Sequence, residues 1–264
     1  LPQVFRIDDA GDPRLEPYRA VRERDLVGRE GLFVAEGRVV LEKAVAAMPE
    51  AIASVLAAER RLESLAEVLA GLPDRTPVYA ASQAAMDAVV GFPIHRGILA
   101  VGRRPERDAA ALLAGLPERA LVVGLVGIAN HDNMGGIFRN AAAFGADAVL
   151  LDPTCCDPLY RKSIRVSVGA ALTVPFARAE EPVAQLAAAG FETVALSPRG
   201  EVELGSLSVG PRTAALFGAE GPGLPEAVLE KTRRVRIAMA GGFDSLNVAT
   251  TSGIVLHHLA AGRK

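Results

Sequence analysis

The chain has 264 residues, of which 50% are hydrophobic, 5% aromatic and 23% charged, and 29 Lys and Arg against 31 Asp and Glu leave a formal net charge of −2. The apolar share excludes a disordered chain, no apolar run nears the roughly 20 residues of a membrane helix, and the opening LPQVFRIDDAGDPR lacks the charged-then-apolar layout of a signal peptide. A cytoplasmic globular protein of one large domain or two small ones is expected, with partners set by local charge patches rather than by the neutral total.

In chain order, Pro17–Arg29 reads as an Arg-rich helix, LFVAEG (32–37) as a strand ending in Gly, and Val39–Ala47 as a helix. Short α/β units continue to IHRGILAVG (94–102). A polar hinge with Pro105 follows, so residues 1–104 are expected to form a first domain and 105–118 a linker. From Ala120 the pattern changes. ALVVGLVGI (120–128) is a continuous apolar run, as in a strand buried on both faces. A helix over 135–144 stopped by Gly145, a strand over 146–152 and a helix over Leu159–Val168 come next. Further strands are expected at Leu172–Ala177, 191–197, 213–218 and 234–239, with helices over 182–189 and 224–231 and a last helix from Leu246 to Ala260. This alternation predicts an α/β layer fold with a mostly parallel sheet over 119–264.

The sequence contains no GxGxxG turn after a strand, no GxxxxGK[ST] loop, no HExxH and no GxSxG. Cys155 and Cys156 are adjacent, a poor disposition for a disulfide, and no Cys/His spacing suggests a metal site. Polar, Gly-rich segments instead follow three of the expected strands: IANHDNMGGIFRN, FGAEGPGL and MAGGFDSLNVATTSG. Ligands of open α/β sheets gather beyond the carboxyl ends of the strands, so three such loops converging there make one site.

These segments run Asn130 to Ala141, Leu216 to Leu224, and Ile237 through Ser245-Leu246-Asn247 to Ala249. In that order they resemble the three signature motifs of the SpoU family, RNA ribose 2′-O-methyltransferases of the SPOUT class. In the first half, Arg29-Glu30-Gly31-Leu32-Phe33-Val34-Ala35-Glu36-Gly37 and His95-Arg96-Gly97-Ile98 resemble the RNA-binding domain, similar in fold to small ribosomal proteins, that precedes the catalytic domain in many members. The resemblance implies a deep trefoil knot in the second domain, a homodimer, and S-adenosylmethionine held by the knot loops.

Taken alone, Arg139 reads as a surface or salt-bridging Arg, Asn133 as a turn residue, Glu220 as a helix cap and Ser245 as the N-cap of the last helix. The resemblance implies more for each. Arg139 is placed at the reacting ribose, Asn133 positions Arg139 or the ribose, Glu220 supports them, and Ser245 and Asn247 position the substrate. It also implies cofactor contacts at Gly218, Ile237 and Leu246, with Leu216 and Met239 as walls. Two departures stand out: His131-Asp132 replaces the common Pro-Gly between the motif-one asparagines, and Thr250-Thr251-Ser252-Gly253 replaces a Ser- and Ala-rich run.

Basic clusters at Arg14, Arg19, Arg22, Arg24 and Arg29, at Arg161, Lys162 and Arg165, and at Lys231, Arg233, Arg234 and Arg236 are candidates for phosphate contacts. Aromatic stacking platforms are scarce, so a folded RNA is the expected partner, and the resemblance implies ribosomal RNA slightly before transfer RNA. The reading is metal-free methylation of a ribose 2′-hydroxyl. The alternative is a non-catalytic RNA-binding protein on the same scaffold.

Overall fold

The structure is a computed structural model that describes residues 2–19, 27, 30–242 and 244–262. Within these, the chain divides into two compact units, Leu1–Pro105 with Asp157–Thr173, and Glu106–Cys156 with Val174–Lys264. The first unit therefore includes a segment that the sequence pattern assigns to the second half. The segment 105–118, expected as a linker, carries a helix whose Ala109 and Leu113 are buried in the core of the second unit.

In the first unit, strands β1 (Val4–Ile7), β2 (Leu32–Glu36), β3 (Ile52–Ala58), β4 (Val78–Ala81) and β5 (Ile98–Arg103) form a mixed sheet in the order β1-β4-β3-β5-β2. Helices α1 (Arg38–Ala47), α2 (Leu62–Ala70) and α3 (Gln83–Val90) connect them. Pro13–Tyr18 is a short 3-10 helix rather than the start of the expected Arg-rich helix. Residues 20–26, 28 and 29 of that expectation, with Arg22, Arg24 and Arg29, lie outside the described residues.

The second unit begins with α4 (Ala109–Ala114), started by Asp108, whose carboxylate accepts the Ala111 N–H at 2.8 Å. There follow β6 (Ala120–Leu125), α5 (His131–Ala143) and β7 (Ala148–Leu151). The chain then crosses to the first unit as α6 (Arg161–Val166) and α7 (Ala170–Thr173). It returns as β8 (Phe176–Arg178), α8 (Pro182–Ala188), β9 (Glu192–Leu196), β10 (Val202–Glu203), β11 (Arg212–Phe217), α9 (Glu226–Leu229), β12 (Arg233–Arg236) and α10 (Val248–Ala261). Among the described residues these strands form one sheet, β10-β12-β9-β11-β6-β7-β8, and every pairing is parallel. All six β6 residues are buried, which accounts for their unbroken apolar run.

The expected strand over Leu172–Ala177 is corrected. Ala170-Ala171-Leu172 are strong helix formers and take up α7, and Pro175, which disfavours helix at the residue before it, follows its end, so the strand begins at Phe176. The strand expected over 234–239 ends at Arg236, which leaves Ile237 to Met239 as loop.

Two basic clusters are not free cations. Arg161 donates to Glu36 at 2.6 Å, both side chains largely buried, and its guanidinium lies 5.1 Å from the Phe92 ring centroid. Lys162 and Arg165, on the same helix, are exposed. On β12, Arg233 pairs with Glu192 at 3.0 Å, Arg234 with Glu201, and Arg236 with Glu203 at 2.8 Å.

Helix α6 ends on Val168, whose φ of 53° is left-handed, a conformation that costs an L-residue about 1–2 kcal/mol. The following Gly169 N–H reaches back to the Ile164 carbonyl at 2.9 Å, and Lys43 Nζ donates to the Val168 carbonyl at 2.7 Å. This is the helix ending that glycine usually serves. Val168→Gly is expected to stabilise the protein by about 0.5–1 kcal/mol, less than the strain released because glycine gains freedom in the unfolded chain. Chemical denaturation is the measurement, and a lower midpoint for the variant would contradict the strain.

Candidate active site

In the second unit, β7 and β8 lie to one side of β6, whereas β9, β10 and β12 lie beyond β11 on the other. The strand order reverses there, and a crevice opens beyond the carboxyl ends. A cavity of about 590 Å³ lies on the β11 side of this reversal, walled by the loops after β9, β11 and β12 and by the start of α10. That volume falls in the range of small-molecule and cofactor sites.

The loop after β11 is folded tightly onto itself. The Gly223 N–H donates to the Ala219 carbonyl at 3.0 Å, and Gly221 and Gly223 have φ of 84° and 72°. A Cβ on Gly218 would overlap the main chain of Gly223 and Leu224, so only glycine lets the two strands of the loop pass this closely. Gly218, Glu220, Ile237, Met239, Ser245, Leu246 and Asn247 all line the cavity. Leu246 is 42% exposed, a large apolar side chain left at the cavity wall. Leu216, expected as a wall, does not line it. Its side chain is fully buried in the core against Gly124, where a Cβ would collide with it. Alternation along β11 explains the correction: Leu216 faces the helix layer, and the next residue, Phe217, lines the cavity.

The start of α10 also differs from expectation. Ser245 is not its cap. Asn247 is, with Oδ1 accepting the Ala249 N–H at 2.9 Å and the Thr250 N–H at 3.2 Å. The Asn247 amide nitrogen donates to Asn133 Oδ1 at 2.9 Å and to Glu220 Oε1 at 3.2 Å. One side chain thus joins all three motifs. Glu220 accordingly bonds across the loops instead of capping the next helix. Asn133 is 6% exposed and sits in the first turn of α5, not in a turn before it. The Ser245 hydroxyl has no hydrogen-bond partner among the described residues, so it is open to a ligand.

Arg139 is a second predicted site residue that the structure does not bring to the cavity. It is exposed on α5, does not line the cavity, and has no hydrogen-bond or ion-pair partner among the described residues. The neighbouring face of α5, with Gly136 and Asn140, packs on α10. A Cβ on Gly136 would come 2.7 Å from that of Ala249, and Asn140 donates to the Ala249 carbonyl at 2.7 Å and to Ser252 Oγ at 3.0 Å. Ser252, part of the unusual run in the last helix, is therefore a packing residue.

Two contributors were missed in the sequence. Leu196-Ser197-Pro198-Arg199 after β9 forms the fourth wall, and no motif marks it. The second is the turn after β7. Asp152 accepts N–H groups from Gly127 at 3.1 Å and Cys155 at 3.0 Å and the Thr154 hydroxyl at 2.8 Å, while Cys156 N–H donates to the Ile128 carbonyl at 2.8 Å. These bonds hold the loop that leads into α5. Burial opposes charge on Asp152, but the bonds from Gly127, Thr154 and Cys155 outweigh it and keep the carboxyl below its ordinary range. Burial pushes the Cys155 thiol up to about 12, which makes it a neutral hydrogen-bonding group and not a nucleophile.

Residues 120–257 match the SpoU rRNA Methylase family. Uncharacterized tRNA/rRNA methyltransferases of Mycobacterium bovis and Mycobacterium tuberculosis are each 40% identical over 279 aligned residues, covering 98% of this chain and 95% of the relative. Among solved structures, an AdoMet-bound rRNA methyltransferase from Sinorhizobium meliloti has the same fold, with a TM-score of 0.81 at 22% identity over 97% of each chain. An RNA 2′-O ribose methyltransferase gives a TM-score of 0.78 at 26% identity, over 98% of this chain and 99% of that one. Fold and relatives together define an RNA methyltransferase of the α/β class. The chain belongs to the SpoU family.

The Asp152 bonds carry a pH dependence. A carboxyl with a lowered pKa stabilises the fold fully above its unfolded value, and that stabilisation is lost as pH falls through the lower folded value. Asp152→Asn is expected to cost about 1–3 kcal/mol at neutral pH. The gap to wild type should close as pH falls from about 4 through the lowered folded value. Urea unfolding across that range checks it, and a gap independent of pH would contradict the assignment.

Proposed function

We propose that the protein methylates a ribose 2′-hydroxyl of a structured RNA, with ribosomal RNA favoured over transfer RNA, using S-adenosylmethionine held in the cavity described above. The observation that carries this reading is that the second and third motif loops line one cavity, while Asn247 at its wall hydrogen-bonds both Glu220 of the second motif and Asn133 of the first. The cavity suits the cofactor. Gly218 keeps side-chain atoms away from a turn of main chain, and Ile237 and Met239 leave the sheet just where they reach the cavity, so backbone N–H and C=O groups can meet an adenosine. Leu246 and Phe217 supply apolar surface beside them. When bound, S-adenosylmethionine supplies an electrophilic methyl group on a sulfonium sulfur.

The protein's own part is orientation and electrostatics. The free Ser245 hydroxyl contacts the substrate or cofactor from the cavity wall. A guanidinium keeps its proton at physiological pH, so Arg139 acts by stabilising negative charge developing on the ribose oxygen, not as a base. The deep trefoil knot and the homodimer belong to the same reading. Ile254, 41% exposed on α10, adds apolar surface on the helix that packs with α5 and fits a partner there. The first unit is the RNA-binding domain, and the scarcity of aromatic residues favours recognition of folded RNA over single strands.

Arg139 standing apart from the cavity favours the second reading, a non-catalytic RNA-binding protein, and one experiment separates the two. Methyl-labelled cofactor incubated with bulk ribosomal RNA should leave label in alkali-resistant dinucleotides, because alkaline cleavage needs a free 2′-hydroxyl. Arg139→Ala should lower that transfer by at least about 100-fold while RNA affinity stays within about threefold, a change near 0.6 kcal/mol. Label in mononucleotides would place the methyl on a base, and no transfer by the wild type to ribosomal or transfer RNA would favour the binding protein. Sedimentation at micromolar concentration should show a dimer, and a stable monomer would overturn that part of the proposal.

A further inference from the structure

We propose that Asn247 is a positioning residue whose side chain does not touch the ribose, and that this side chain is the joint holding the two motif loops at the cavity and the start of α5 in register. A side-chain amide has two N–H donors and a carbonyl oxygen with two lone pairs. Both Asn247 donors are taken, by Asn133 Oδ1 at 2.9 Å and Glu220 Oε1 at 3.2 Å. Both acceptor sites are taken, by the Ala249 and Thr250 N–H groups. Its main-chain carbonyl is taken too, by the Thr251 N–H at 2.9 Å and the Thr251 hydroxyl at 3.1 Å. Contact of this side chain with a substrate would require breaking one of these bonds. Ser245, two residues earlier, has a free hydroxyl on the same wall.

The joint also has a fixed polarity. The Asn247 oxygen must face the N-terminus of α10, because only an acceptor caps the exposed N–H groups there. The nitrogen is thereby turned toward two acceptors, one of them a carboxylate. Aspartate at 247 would keep the cap and lose both donors, and it would set a second carboxylate against Glu220. Like charges at such a distance cannot both ionise freely, and one pKa rises. Glutamine at 220 could then donate to Asp in place of accepting from Asn, restoring the bond with its direction reversed.

The inference rests on the proposed function only for its ligand measurement. In the full chain, Asn247→Asp should speed amide exchange over 130–134 and 218–224 by at least about tenfold, the scale of a lost hydrogen bond to a charged group. Exchange in the body of α10, whose cap survives, should be unchanged. Glu220→Gln alone keeps an acceptor and should loosen the loops less. The double variant N247D/E220Q should return both segments to within about threefold of wild type. Asn247→Ser, which keeps a cap without the donors, should loosen the same two segments, and covers the case in which N247D does not fold. Titration with S-adenosylhomocysteine adds a pH signature. N247D should bind about tenfold more weakly at pH 8 and recover toward pH 6 as the carboxylate pair takes up a proton, while wild type stays flat over that range.

Wild-type loop exchange in N247D, or a double variant no better than N247D, would overturn the joint. Weak binding by N247D that does not change with pH would also count against it. If wild type fails to bind S-adenosylhomocysteine while the exchange pattern holds, the cofactor reading falls and the joint stands.

Discussion

An asparagine whose oxygen caps the last helix must turn its nitrogen the other way, and in this protein that nitrogen meets Asn133 and Glu220. These partners come from segments 114 and 27 residues away in sequence. The cap is local chemistry, available to any helix that starts with Asn. The consequence is not local, since fixing the direction of one amide fixes where three loops can stand. The cavity has its shape because those loops cannot drift apart without leaving a polar group unpaired.

Close backbone approach is the second requirement, and small residues meet it. Gly218 lets the loop after β11 fold onto Gly223 and Leu224, and Gly136 lets α5 settle against Ala249 of α10. Asn140 then ties the two helices through a main-chain carbonyl and Ser252. In the first unit the equivalent ties are ionic. Glu36 ends β2 and receives Arg161, while Lys43 caps the carbonyl of the strained Val168. A largely buried pair of this kind is costly to break by removing one partner, which leaves the other charge uncompensated. The Glu-Gly segment at 36–37 therefore owes part of its identity to packing within its own unit.

Much of this was legible in the sequence, for identifiable reasons. The buried run of β6 and the Gly-rich segments after strands gave the parallel sheet and the position of the cavity, because burial and turn chemistry are local signals. The cap at 247 was assigned to Ser245 because both residue types cap helices and no pattern says where the preceding loop ends. Leu216 was misplaced for a similar reason, as one residue of register decides which side of β11 a side chain takes. The charge balance of the basic clusters was the least legible feature. Glu192, Glu201, Glu203 and Glu36 neutralise them from elsewhere in the chain, and only the fold brings those charges together. The Asp152 turn carried no motif, since its work is done by main-chain N–H groups that any residues could supply.

The central claim is that the cavity among these loops holds the cofactor, and a crystal structure of the protein grown with S-adenosylhomocysteine tests it most directly. The account predicts the adenosine against the main chain at Gly218, Ile237 and Leu246, with the Asn133–Asn247–Glu220 bonds intact. Density for the ligand elsewhere on the chain, or a cavity that stays empty at saturating ligand, would contradict it.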